Sequence, residues 1–453
     1  MKRLDRYLMF FVCAGVALAV WVLGLGLDRW PFGQYSELPR FISLCVLVIG
    51  ATLVFIVAWV KYYNKRSRVF LFAALAVTLL LGTSTSWATY KVVKWRGYIW
   101  MSDFLFEKRS PIDETKPLDV MFTFVDHFEP AGIWRSSEEF PVERRLSRMK
   151  RWEENYRRAI KGHQDSDGQS PKTSWIFPIG HSVPEVISEL SRWPGRGWGE
   201  VEYHLHHRPD WDSQRVKEQI DRDVKALRGM GACTNGFAFV HGVYGLAAGD
   251  PRICKIVDEL DLLEDAGCYA DFTFPNLFTP AQPSQANSIF YAKTTGLPKP
   301  HDRGAPVTVG KNKADGLMLV QGPLWAGFTK VVLEDGNLSV DQPPHPDRID
   351  RWLASHVHVK GKPNWVFIVV HTHSATEYAQ DMLFQGNMQR TWTELEDRFK
   401  KGGNRLHYVT TRETFNIIKA AEAGKTGNPD QYRDFIVLPP DNLRSSSART
   451  GRL

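Results

Sequence analysis

The sequence predicts an α/β protein: N-terminal transmembrane helices, then a distorted or incomplete (β/α) barrel. Two observations carry this. The first ninety or so residues hold three long apolar stretches, and a bilayer crossing takes about 20 such residues. After residue 117, strand-like and helix-like patterns alternate, as a parallel sheet with crossover helices requires. The expected organisation is a membrane anchor over 1–96, a linker over 97–116, the barrel over 117–425, and a partly disordered tail over 426–453.

The expected spans are 7–27, 41–60 and 69–88, the last being the most polar. Lys2, Arg3 and Arg6 precede the first, and Lys61, Lys65, Arg66 and Arg68 follow the second. Basic loops stay in the cytoplasm. Three crossings then put the large domain on the extracytoplasmic side of a multi-pass inner membrane protein, although Lys91, Lys94 and Arg96 fall on that outer side. The net charge of +7 belongs to these flanks. No basic helix or nucleic-acid motif accompanies it, which excludes nucleic acid as a partner. Only about a fifth of the chain is apolar enough to span, which argues against a channel or transporter. The five cysteines form no CxxC pair, against a zinc ribbon or redox motif. One disulfide among Cys233, Cys254 and Cys268 stays open.

Within the barrel, apolar runs at 118–124, 173–179, 198–206, 236–241 and 269–274 read as strands. Helical periodicity fills the gaps at 144–160, 183–193, 213–230 and 253–266. A looser middle has short strands at 289–292, 317–321 and 330–333. Order returns with helix 346–356, strand 365–371, helix 377–399, strand 406–409 and helix 412–421.

In such folds chemistry collects at the C-terminal ends of the strands. Those ends are rich in histidine here: Asp126-His127 with Glu129, His204-Leu205-His206-His207, His241, and His371-Thr372-His373. Seven of the chain's 14 His lie in these four places. Residues i and i+2 of a strand share a face, so His204 with His206, and His371 with His373, are spaced to ligate a metal beside a carboxylate. Each has a blander reading. A lone His241 at a strand end is commonly a hydrogen-bonded structural histidine, and Asp126 can simply cap a loop.

At these residues the chain resembles the polysaccharide deacetylase superfamily, the NodB-homology carbohydrate esterases. The family's T-F-D-D strand is similar to Thr123-Phe124-Val125-Asp126, and its E-[IV]-x-x-H-[ST]-x-x-H motif begins like Glu200-Val201-Glu202-Tyr203-His204. Val370-His371 echoes the late leucine-histidine motif. The sequences DHFEP, VExHLHH, FVHG, CYADFT and HTH look similar to a membrane-anchored branch of this superfamily found with exopolysaccharide genes. The likeness covers about 117–425.

The resemblance implies a deacetylase-type barrel and a metal-dependent hydrolase that deacetylates a cell-envelope or extracellular polysaccharide. It implies a divalent metal, zinc foremost, on Asp126, His204 and His206, with His207 as alternative because the family's second histidine falls on Arg208. Val125 stands where the family has its catalytic base, which leaves His127 or Glu129 for that role. His371 or His373 would protonate the leaving group. His241 and Asp271 would line the substrate. Trp134, Trp211 and Tyr244 can either stack on sugar rings or pack in the core or rim. Two rivals stand beside it: glycoside cleavage by Glu129 with Asp210 or Asp271, and a non-catalytic glycan-binding or assembly component of a polysaccharide export complex.

Overall fold

Alternate residues of the first strand enter different surroundings, and this alternation organises the domain. Val120, Phe122 and Phe124 join one hydrophobic core, whereas Met121 and Val125 join another. A strand buried on both faces between two layers has this pattern. The computed structural model describes residues 92–132, 140–311, 314–327, 332–400 and 402–443. The chain divides into two units, Met1–Gly97 and Tyr98–Leu453. The second unit holds the strands.

It is a mixed α/β fold with a large, mostly parallel sheet. The strands are β1 Asp119–His127, β2 Thr173–Phe177, β3 Gly199–Leu205, β4 Phe237–His241, β5 Cys268–Asp271, β6 Ile289–Ala292, β7 Ala305–Pro306, β8 Leu317–Val320, β9 Trp325–Gly327, β10 Val332–Glu334, β11 Asn337–Leu338, β12 Trp365–Thr372 and β13 Arg405–Val409. Eleven of them form one sheet in the order β11-β12-β1-β2-β3-β4-β5-β8-β6-β7, with β13 beside β1. From β11 to β8 the pairing is parallel, and β6 runs antiparallel to both its neighbours. β13 pairs with the first half of β1 and β2 with its end. Among the described residues, isolated bridges link the two sheet edges, Thr308 with Lys360 and His358 with Val366.

Helices Val142–Ala159, Pro184–Leu190, Ser213–Gly229 and Glu259–Ala266 pack their apolar stripes on the outer core. Helix Thr411–Glu422 lies on the other, inner face, with Phe415, Ile417, Ile418, Ala420 and Ala421 in the inner core. Thr410 and Glu413 cap it reciprocally. At its start Arg412 grips Glu200 of β3 through two bonds of 2.8 and 3.0 Å. At its end Glu422 accepts from Tyr291 of β6 at 3.0 Å. Nearly every polar residue along this helix is buried, so these bonds satisfy groups that water cannot reach.

The expected membrane anchor is corrected here. Among the described residues no helix is long and apolar enough to cross a membrane. The three expected spans lie outside the described residues, and the inner-membrane location read from them is withdrawn. The expected linker is part of the second unit: helix Gly97–Phe106 buries Trp100 against Leu277 and Leu324, and Asp103 takes Arg303 at 2.9 Å. Residues 426–443 also pack, with Asn416 bonding the Arg433 and Val437 carbonyls at 2.6 and 2.7 Å. Cys233, Cys254 and Cys268 are all free.

β13 is held to β1 by charge. Arg405 reaches Asp119 at 2.6 Å, and His407 places one ring nitrogen 3.2 Å from Asp119 and the other 2.6 Å from Asp167. Burial alone would lower the His407 pKa, but the two carboxylates outweigh it and the pKa is raised. A raised histidine pKa stabilises the fold below the unfolded value of about 6.5, and that contribution is lost as pH rises through the folded value. Urea denaturation of wild type and His407→Gln at several pH values should show the largest stability gap below about pH 6.5, shrinking as pH rises. A gap that does not change with pH would refute the ion-pair account.

Candidate metal centre

The inner rows of three strands converge at one end of the sheet. In β1 the inner row is Thr123, Val125 and His127, fixed by the 2.7 Å bond from Thr123 to Thr414 of the inner helix and by Val125 in the inner core. In β3 it is Glu200, Glu202 and His204, because Val201, Tyr203 and Leu205 fill the outer core. In β12 it runs through Phe367 and Val369 toward His371. Continuing each row by two residues reaches Glu129, His206 and His373.

These side chains meet. The His127 ring lies 4.5 Å from that of His373, 5.1 Å from His204 and 6.0 Å from His371, centroid to centroid. His204 and His206 sit edge to face at 4.6 Å. Glu129 is buried among them, with the Nε2 atoms of His204 and His206 at 3.2 and 3.3 Å from its Oε1. The ligand atoms of Glu129, His204 and His206 lie within 4.8 Å of one another, as do those of His127, Glu129 and His373. Glu129 is shared by both groups.

The donor set fits a divalent cation. His204 Nδ1 lies 2.7 Å from the Val240 carbonyl, which can only accept, so this nitrogen carries the proton. In the neutral ring Nε2 then turns a lone pair on the Glu129 carboxylate. Burial, and then His206, lower the His204 pKa and so favour that neutral form. Two acceptors in contact repel, and a cation between them removes the conflict. An outer hydrogen bond fixing the ring's tautomer is what metal-ligating histidines show. Glu129, with the rings of His206, His371 and His373 half-buried around it, forms an accessible mouth rather than a sealed cage.

Tyr244 borders this mouth, 5.5 Å from His127 and 6.2 Å from His371. It follows β4 in a left-handed backbone conformation, as does the β-branched Val243, with φ of 60° and 54°. Non-glycine residues rarely adopt that conformation, and its presence beside functional groups is a recurrent association.

The other expected site residues fall elsewhere. Asp126 shares the outer row with Phe122 and Phe124. It accepts from the Ser374 backbone at 2.8 Å and from the Ser374 hydroxyl, which in turn accepts from Trp152 at 2.5 Å. It belongs to none of the convergent ligand groups, and burial raises its pKa to about 7. His207, one residue past His206, projects to the opposite side and meets His241, 2.9 Å between their Nε2 atoms. Asp271 bonds Thr273 at 2.6 Å, and Thr273 receives the His241 backbone N–H at 2.9 Å. Asp210 is exposed and pairs with Arg208. Trp211 packs on the His207 ring at 6.3 Å, and Trp134 lies outside the described residues. Ser374 and Glu259 carry no signal in the sequence, and Cys254 stands out there only as a candidate disulfide partner. They sit in no recognisable motif and gain meaning only from the side chains they meet.

No family model matches the chain, and no curated protein matches it. Among solved structures, one from Mycobacterium smegmatis described as a "putative polysaccharide deacetylase" is similar at 10% identity and a TM-score of 0.39. That likeness covers 71% of this chain and 98% of the other.

Gly242 makes room for the cluster. A Cβ there would come within 2.6 Å of the His206 ring and 2.8 Å of the Leu205 carbonyl. Gly242→Ala should therefore push His206 off Glu129 and weaken metal affinity by about tenfold or more, with some loss of thermal stability from the clash with the Leu205 backbone. Isothermal titration with zinc checks this, and unchanged affinity would refute the placement of His206.

Proposed function

We propose that this chain is a divalent-metal-dependent hydrolase of the carbohydrate-esterase kind, which removes acetyl groups from a polysaccharide. The observation that carries the reading is the half-open mouth where Glu129 meets His204 and His206 while His127 and His373 stand across from them. The sequence resemblance in β1 and β3 points to the same chemistry. Glu129, His204 and His206 would hold the metal, and imidazole with carboxylate favours zinc. When bound, such a metal polarises an acyl carbonyl and lowers the pKa of a bound water to about 7.

The chain's own groups supply the rest. Burial first, and then the neighbouring histidines, push the His127 pKa well down. Burial likewise holds His373 at about 4 and His371 at about 3. All three rings are neutral at pH 7, so His127 or His373 can take a proton from an attacking water and pass it to the leaving oxygen or nitrogen. Burial, with Asp335 and Glu129 nearby, raises the Tyr244 pKa, so its hydroxyl stays protonated and can donate to a substrate oxygen. Val125 lies in the inner core, which leaves the proton transfer to these histidines. The half-buried Tyr244 face offers a sugar a stacking surface.

Glycoside cleavage fares worse on the same geometry. Glu129 is ringed by histidines, Asp271 folds back on Thr273, and Asp210 is exposed on Arg208, so Glu129 forms no pair with Asp210 or Asp271 that could flank a glycosidic bond.

Acetate release from acetylated oligosaccharides tests the proposal. Glu129→Gln should lower bound metal by about one equivalent and abolish activity. His373→Ala should keep the metal and lower kcat by about 10²–10⁴-fold. Wild-type acetate release by Glu129→Gln, or no release by the metal-loaded wild type on N- and O-acetylated glycans, would overturn it.

A further inference from the structure

The outer face of the sheet holds a second constellation that the proposed reaction does not use. His207 follows the end of β3, His241 ends β4, and Glu259 opens helix Glu259–Ala266, with Cys254 in the loop between. All four are buried, and their ligand atoms lie within 4.8 Å of one another. The side chains of His207, His241 and Glu259 have no exposed area at all. We infer that His207, His241, Glu259 and Cys254 form a closed, structural metal site, with zinc as the ion their chemistry favours.

Three kinds of observation support it. The first is spacing. His207 Nε2 is 2.9 Å from Glu259 Oε1 and 2.9 Å from His241 Nε2, and His241 Nε2 is 3.4 Å from Glu259 Oε1. Ligands on a tetrahedral zinc with bonds of about 2.0–2.1 Å stand about 3.3–3.4 Å apart, so this triangle needs only slight expansion.

The second is the chemistry of what converges. His241 Nδ1 accepts the Gly245 N–H at 3.1 Å and also lies against the Gly242 carbonyl. His241 Nε2, His207 Nε2 and Glu259 Oε1 meet where water does not reach. Two imidazole nitrogens and a carboxylate oxygen are zinc's usual partners, and a cation satisfies all three.

The third is the set of outer hydrogen bonds. Cys254 Sγ accepts from the backbone N–H groups of Ala248 and Ile256, each at 3.4 Å. The second Glu259 oxygen accepts from the Ala247 N–H at 2.7 Å. Backbone donors aimed at the ligand atoms are part of the outer shell that orients and tunes metal ligands. Four buried ligands of this kind, with no open position, describe a structural rather than a catalytic site.

The site also has a task. The loop from Gly242 to Asp258 contains four non-glycine residues with positive φ: Val243, Tyr244, Ala247 and Ala248. Such a loop keeps its shape only if its surroundings over-determine it. An ion on its two flanks and on Cys254 within it would do so. It would thereby fix Tyr244, and through His207 the neighbouring His206, at the inner mouth.

Metal analysis of the full-length His204→Ala/His206→Ala variant tests this without relying on the inner site. About one equivalent of zinc should remain, and X-ray absorption at the zinc edge should show one sulfur at about 2.3 Å. Adding Cys254→Ser should remove the sulfur signal. Loss of all metal from the double variant, a retained zinc with only nitrogen and oxygen neighbours, or a sulfur signal that survives Cys254→Ser would each overturn the inference. The metal difference between wild type and the double variant reports separately on the inner site. The two readings can therefore fail independently.

Discussion

The two-residue repeat of a β-strand is the constraint on which the rest of this structure depends. Because β1, β3 and β12 are buried on both faces, each must divide its side chains between an outer layer of helices and an inner face. That division sends His127, Glu129, His204, His206, His371 and His373 to one place. It sends Asp126 and His207 to the other side, where His207 meets His241 at the end of β4. His206 and His207, neighbours in the chain after β3, thus enter two different clusters of ligand-type side chains. A slip of one residue in β3 would exchange them.

The inner face of β3 is polar along its length, which is costly unless each group is satisfied. Glu200 is matched by Arg412, and Glu202 takes the Tyr269 hydroxyl at 2.5 Å and the Ala238 N–H at 2.7 Å. Burial and the adjacent Glu200 raise the Glu202 pKa to about 8, so it is largely neutral at pH 7. The helix that supplies Arg412 thus completes the lower part of a column whose upper part is His204 and His206. The ion pair at one end and the candidate metal centre at the other divide the labour usual in parallel α/β folds: stability below, chemistry above.

Much of this was legible in the sequence. The expected strands lie within a few residues of their places, because short apolar runs separated by helical periodicity leave few alternatives; the two- and three-residue strands β7, β9 and β11 are not among them. The i, i+2 histidine pairs at 204/206 and 371/373 do share a face. Asp126 was harder to place. Its companions Phe122 and Phe124 are as apolar as Met121 and Val125, so nothing in β1 tells inner from outer. The burial of helix Thr411–Glu422 was also hidden: Arg412, Glu413 and Asn416 look like a solvated face, and only their partners at Glu200, Arg433 and Val437 explain them. Cys254 and Glu259 carry no motif, and distant strands bring them to His207 and His241.

The central claim is that Glu129, His204 and His206 hold one divalent cation at the mouth of the inner face. Anomalous diffraction at the zinc edge, from crystals of the full-length chain grown with zinc, tests it most directly. The account predicts a peak bounded by Glu129 Oε1 and the Nε2 atoms of His204 and His206, distinct from any peak at His207 and His241. A map with no peak among Glu129, His204 and His206 would contradict it.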